Sequence, residues 1–230
     1  MSVVALVPAA GRGERLGYGM PKALVPVNGV PLLTRAVRGL FASGQVQHVV
    51  IAAPPSDVDL VHTATASLAP AGGAVHVLSG GAERTDSVRL ALDHALRVIP
   101  DTSIVLVHDA ARAFTPPEVI ADVVAAVRNG HDAVIPVLPV ADTIKQVDEV
   151  GVVVSTPDRA GLRVVQTPQG FRAETLKAAY CSGIAATDDA GLVEKNGGKV
   201  HTVPGHAHAM KITTPFDLAV AEALFAGGSA

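Results

Sequence analysis

Val3-Val4-Ala5-Leu6-Val7-Pro8-Ala9-Ala10-Gly11-Arg12-Gly13-Glu14-Arg15-Leu16, with Pro21-Lys22 shortly after, is the stretch that decides the fold. A short apolar run bounded by turn residues reads as a buried first strand, and here it enters a glycine-rich loop directly. Gly11 and Gly13 permit a sharp turn that presents backbone N–H groups to an anion, while Arg15 and Lys22 bring two positive charges to the same place. A dinucleotide fingerprint would require glycine where Leu16 stands, and a P-loop would require Gly-Lys-Ser/Thr where the chain has Pro21-Lys22-Ala23. The plainer alternative is a glycine-rich turn with incidental surface arginines.

Composition narrows the class. The 230 residues are 49% hydrophobic but only 3% aromatic, with no tryptophan. Such a chain builds its core from Val, Ala, Leu and Ile, a composition suited to buried parallel strands under alanine-rich helices. One domain spanning 1–230 is expected. A formal charge of −3 argues against bulk nucleic-acid binding. The single cysteine, Cys181, excludes an intramolecular disulfide and fits a cytoplasmic location, and no apolar stretch approaches the length of a membrane span. The N-terminal apolar run is too short, and too close to the glycine loop, to read as a signal peptide.

Strand-like and helix-like runs alternate through residue 138, which predicts right-handed βαβ units and a mostly parallel sheet. Helices are expected at 32–43, 57–68, 83–97 and 117–128, and strands at 3–7, 46–53, 75–78, 103–107 and 132–138. Beyond that the helical period disappears. Short strands at 143–147, 152–155 and 162–166 predict an extended antiparallel β-arm at about 140–165, too small for its own core and therefore bound to lie on the parent sheet or a partner subunit. Helices at 173–180, 188–196 and 215–225 and strands at 199–203 and 209–213 complete the reading.

In open parallel sheets ligands bind beyond the carboxyl ends of the strands. Those ends carry the Gly11/Gly13 loop, Gly80-Gly81-Ala82-Glu83-Arg84-Thr85-Asp86-Ser87, His108-Asp109-Ala110-Ala111-Arg112 and Lys211-Ile212-Thr213. Gly80-Gly81 reads either as a tight turn or as a place where backbone approaches a base, with Ser87 adding a hydroxyl. Asp109 either pairs with Arg112 or positions a Mg²⁺-triphosphate. Lys211 and Arg159 are open to a plain reading as solvent-exposed cations. No Gly-x-Ser-x-Gly elbow, His-Glu-x-x-His motif or activated cysteine is present. Many cations, one placed carboxylate and no evident general base suit a nucleophile that is already ionised. A phosphate monoester, with a second pKa of about 6, is such a nucleophile at neutral pH.

Pro8-Ala9-Ala10-Gly11-x-Gly13-x-Arg15-Leu16, Pro21-Lys22, Gly80-Gly81-x-x-Arg84-x-x-Ser87-Val88, Val107-His108-Asp109-Ala110-Ala111-Arg112, Asp142-Thr143-Ile144-Lys145, Gln166-Thr167-Pro168-Gln169, Thr187-Asp188-Asp189-Ala190 and Lys211-Ile212-Thr213 follow one another along the chain. Together they resemble the 2-C-methyl-D-erythritol 4-phosphate cytidylyltransferases of the non-mevalonate isoprenoid pathway. The resemblance implies an α/β, Rossmann-like nucleotidyltransferase fold, Mg²⁺ dependence, and a homodimer whose arms complete each other's sites. It assigns Arg15 and Lys22 to the CTP phosphates and the transition state, and Ala9, Ala10, Gly11, Gly13, Gly81 and Ser87 to the nucleotide cradle. Asp109 falls to the ribose and metal. Thr143, Arg159 and Lys211 correspond to groups that hold methylerythritol phosphate, assisted by Arg112 and Thr187. Two rivals remain at this point: a ribitol 5-phosphate cytidylyltransferase, and a nucleotide-binding module without chemistry.

Overall fold

The computed structural model describes residues 2–11 and 19–226. The first half of the chain runs β1 (Ser2–Pro8), β2 (Pro26–Val27), β3 (Val30–Pro31), α1 (Leu32–Ala42), β4 (His48–Ala53), α2 (Val58–Thr65), β5 (Ala74–Ser79), α3 (Arg84–Val98), β6 (Thr102–Val107) and α4 (Pro117–Arg128). The second half runs β7 (Ala133–Pro139), β8 (Gln146–Val147), β9 (Val153–Ser155), β10 (Arg163–Val165), β11 (Gln169–Arg172), α5 (Ala173–Cys181), α6 (Asp189–Lys195), β12 (Val200–Pro204) and α7 (Pro215–Leu224).

An eight-stranded sheet has the order β10-β7-β11-β6-β1-β4-β5, with β12 also paired to β7. The β1–β4, β1–β6, β4–β5 and β12–β7 pairs are parallel, whereas β10 and β11 are antiparallel to their neighbours. The sheet is therefore mixed: its parallel part is the β6-β1-β4-β5 run and the β12–β7 pair, and its antiparallel part is β10 and β11. β11 is the element that sequence reading missed: at four residues, around Gly170, it has no visible period. It inserts between β6 and β7, where a Cβ on Gly170 would come within 2.4 Å of a Val123 methyl on α4.

Period-2 alternation along β1 builds a core on each face. Val3, Ala5 and Val7 pack with Leu33, Val37, Val61 and Ile120 beneath α1, α2 and α4. Val4 and Leu6 pack with Val88, Leu92, Phe171, Leu176 and Val193 beneath α3, α5 and α6. A small third cluster joins Val25, Val27, Leu32, Ala113, Ile212, Leu218 and Ala221 under α7. The expected strand at 209–213 is absent. A 3-10 turn at Ala207–Ala209 precedes an irregular segment that is pinned when the buried Ile212 N–H donates to Ala111 O at 2.9 Å.

The arm differs from expectation in one respect. β8 and β9 form a separate two-stranded hairpin, but β10 joins the parent sheet on β7. The hairpin turn is closed by Asp148, whose carboxylate accepts from the Val150 and Val152 N–H groups, with Gly151 at φ +85°. Val147, Val150, Val152, Val153 and Val154 are all more than half exposed in the single chain.

Candidate active site

The crossovers bring the loops after β1, β5 and β6 to one edge of the sheet, where the chain turns one way from β1 to β4 and the other way beyond β6. A cleft of about 200 Å³ opens there, lined by Ala9, Ala10, Gly11, Lys22, Gly81, Arg84, Ser87, Asp109 and Lys211 among others. Gly13 and Arg15, both expected at this cleft, lie outside the described residues. Lys22 opens a 3-10 turn, Lys22–Leu24, that follows Pro21.

Steric requirement explains the second glycine pair. A Cβ on Gly80 would stand 2.6 Å from the Ala10 Cβ and 2.8 Å from Ser87 Oγ, and one on Gly81 would stand 2.3 Å from the Asp86 Cβ. No side chain fits either position. Gly11 is different: among the described residues a Cβ there would meet nothing within 4 Å. Ser87, buried on α3, accepts from the Gly81 N–H at 3.1 Å and donates to Glu83 O at 3.1 Å. Its hydroxyl thus shapes the loop whose backbone faces the cleft.

Asp109 is the electrostatic centre. Its Oδ2 lies 2.7 Å from Lys211 Nζ and its Oδ1 lies 3.4 Å from Arg84 Nε. Burial alone would raise its pKa, but Arg84 and Lys211 together pull it down to about 2. The Asp109 N–H donates to Thr167 Oγ1 at 3.0 Å, and that hydroxyl stands 3.1 Å from Nδ1 of the fully buried His108. Burial lowers the His108 pKa to about 4, so the imidazole is neutral. His108 is a support beneath Asp109.

The remaining expected residues divide. Lys211 reaches the cleft. Arg112 is directed away from Asp109's carboxylate, its guanidinium donating to Ala209 O at 2.7 Å and Val165 O at 3.1 Å. It clamps the segment that delivers Lys211 to β10. Thr187 is exposed just before α6, and Thr143 and Arg159 are exposed on the arm, where Arg159 donates to Ala141 O. None of these four lines the cleft of its own chain.

Sequence reading quoted Gln166-Thr167-Pro168-Gln169 without giving it a task, and the structure supplies one. Gln166 exchanges reciprocal hydrogen bonds with the His206 backbone. Gln169 donates to Asp188 Oδ2 at 2.8 Å and accepts from the Ala190 N–H at 2.9 Å. These two amides and Thr167 tie together the segments bearing Lys211, α6 and Asp109. Arg84 was likewise overlooked as a site residue, although its place one turn into a glycine loop was visible.

A Rossmann-like sheet whose strand ends carry glycine loops, lysines and one ionised carboxylate defines a nucleotidyltransferase. The family model described as 2-C-methyl-D-erythritol 4-phosphate cytidylyltransferase (IspD) matches residues 3–226. The chain belongs to that family. It is 68% identical to the enzyme of that name from Saccharopolyspora erythraea, over 98% of this chain and 100% of that protein. It is 56% identical to the one from Nocardia farcinica, over 97% and 94% of the two chains. A crystal structure of the Thermus thermophilus enzyme superimposes with a TM-score of 0.78 at 36% identity, covering 97% of this chain and 98% of that one. Among the described residues no helix is long and apolar enough to cross a membrane.

Proposed function

We propose that the protein transfers the cytidylyl group of CTP to 2-C-methyl-D-erythritol 4-phosphate, giving 4-diphosphocytidyl-2-C-methyl-D-erythritol and pyrophosphate in the non-mevalonate pathway. An oxygen of the acceptor phosphate attacks the α-phosphorus of CTP, one P–O bond forms, and the bond to the β-phosphate bridging oxygen breaks. No proton need be removed, because a phosphate monoester with a second pKa of about 6 is largely dianionic at neutral pH. The chain's task is to align the two phosphates and neutralise their charge. Ala9, Ala10, Gly11, Gly13, Gly81 and Ser87 form the nucleotide cradle. Lys22 and Arg15 act on the CTP phosphates as charge builds during attack. Lys211 holds the acceptor phosphate. The observation that carries this reading is the meeting of Lys22, Lys211 and ionised Asp109 in one cleft of a chain that matches the family throughout.

Mg²⁺ fits the cleft only as an ion brought by the nucleotide. Among the described residues no group of three His, Cys, Asp or Glu side chains comes together. Mg²⁺ keeps several waters and commonly takes one or two carboxylates plus substrate phosphates, so Asp109 with the triphosphate is an adequate donor set. When bound, the ion supplies further neutralisation of the triphosphate and of departing pyrophosphate.

Thr143 and Arg159 enter through the dimer and Thr187 through its loop, whereas Arg112 assists within its own chain by holding the segment that bears Lys211. The arm of one subunit carries Thr143 and Arg159 to its partner's cleft, a reading supported by the exposed valines of β8, β9 and their turn. The enzyme works in the cytoplasm, where the lone exposed Cys181 stays reduced. Pyrophosphate release should require Mg²⁺, prefer CTP among the four nucleotides, and be far faster with methylerythritol phosphate than with ribitol 5-phosphate. Equal turnover of ribitol phosphate, or a preference for UTP, would overturn the assignment.

A further inference from the structure

Arg84 is held by more than Asp109. Its Nη2 lies 2.7 Å from Oδ2 of Asp189, a fully buried carboxylate in the first turn of α6. The other oxygen of Asp189 accepts from the Tyr180 hydroxyl on α5 at 2.5 Å. Tyr180 donates and does not ionise, since burial and the Asp189 carboxylate push its pKa well above the usual phenol range. Burial would lower the pKa of Arg84, but Asp189 and Asp109 more than offset that, so its charge is permanent.

A continuous run of charge-assisted contacts therefore leads from α5 through α6 and the start of α3 to Asp109 and Lys211. Tyr180 and Asp189 lie outside the cleft, whereas Arg84, Asp109 and Lys211 line it. A guanidinium is a planar fork with fixed donor directions. Anchoring Nη2 on Asp189 leaves Nε for a single oxygen of Asp109, and the second oxygen is left to Lys211. Without that anchor both edges of Arg84 would turn to Asp109 and compete with Lys211 for it. The cradle glycines carry no side chain into this network.

We propose that Tyr180 and Asp189 are positioning residues that act through Arg84 to fix Lys211 and Asp109, and so act chiefly on the acceptor-phosphate side of the cleft, reaching the nucleotide only through Asp109. This rests on the reading of Lys211 as the acceptor-phosphate ligand. The test is steady-state kinetics in both substrates together with CTP binding by equilibrium dialysis, on wild type, Tyr180→Phe, Asp189→Asn and the double variant. Tyr180→Phe should raise KM for methylerythritol phosphate about tenfold, the scale of one lost charge-assisted hydrogen bond. Asp189→Asn should lower kcat/KM for that substrate on the order of 10²-fold, as small misplacements of reacting groups do. The double variant should add little, and the CTP dissociation constant should rise several-fold less than KM for methylerythritol phosphate throughout.

A merely structural role would lower the active fraction while leaving both KM values in place, and that result overturns the proposal. So does an equal rise in both. If Asp189→Asn fails to fold, Tyr180→Phe, which removes a single hydroxyl, decides the matter alone. Absence of acceptor-dependent turnover in the wild type would instead overturn the assigned reaction.

Discussion

Asp109 is ionised where burial opposes ionisation, and that makes it measurable. Its folded pKa of about 2 lies below the ordinary aspartate value of about 3.9, so it contributes stability that is fully present above about pH 4 and is lost as pH falls toward 2. A shift of that size corresponds to about 2.6 kcal/mol. Asp109→Asn has no such titration, so the stability gap between wild type and variant should narrow by about 1.7 kcal/mol between pH 5 and pH 2.5. Urea midpoints at the two pH values measure it, and a gap that stays constant would mean that Arg84 and Lys211 do not stabilise the carboxylate. Lys22 and Arg15 belong to the same scale. Lys22→Ala and Arg15→Ala should chiefly lower kcat, by on the order of 10²–10³, because charge on the α-phosphate develops only as the new bond forms. Unchanged kcat with a raised KM for CTP would make both residues ground-state binders. That Lys22, Asp109 and Ser87 belong to the cleft was legible from the loops that follow apolar strands, whereas Lys211 was legible through its Lys-Ile-Thr motif, the strand expected there being absent. That Arg112 serves two carbonyls, and that Asp189 holds Arg84, was not, because both depend on contacts between residues far apart in the chain.

Elements were legible where period and punctuation agreed. α4 begins at Pro117 and ends at Arg128 as its proline pair and apolar stripe require. The segment 209–213 misled because Met210, Lys211 and Ile212 alternate like a strand, whereas only Ile212 packs inward, in the small cluster under α7. What holds that segment is a cap. Asp217 accepts from the Thr213 hydroxyl and from the Thr213 and Thr214 N–H groups, each at 2.8 Å, while Thr214 Oγ1 accepts from the Asp217 N–H at 3.2 Å. Lys211 thus hangs from the first turn of α7. Thr214→Ala removes one half of this capping box and should cost about 1 kcal/mol, read from the denaturant midpoint. It should leave kcat nearly intact, because Asp217 keeps its bonds to Thr213. A loss of activity larger than the loss of stability would show that the second half of the box also positions Lys211.

At the scale of the molecule, the arm is the feature that one chain leaves unexplained. β8 and β9 bury none of their own valines, and an exposed two-stranded hairpin is marginal in water by itself. Thr143 and Arg159 ride on this arm, away from the cleft of their own chain. If the arm crosses a two-fold axis, each active site takes Lys22 from one subunit and Arg159 from the other. Mixing Lys22→Ala subunits with Arg159→Ala subunits then yields heterodimers in which one site has both residues and the other has neither. With equal amounts and random exchange, half of the dimers are mixed and half of their sites are whole, so activity should return to about a quarter of wild type per total site. Exchange is followed independently by labelling one variant and measuring energy transfer on mixing. Complete exchange without recovered activity, with each parent still folded and dimeric, would place Arg159 in the site of its own chain and rule out a shared site.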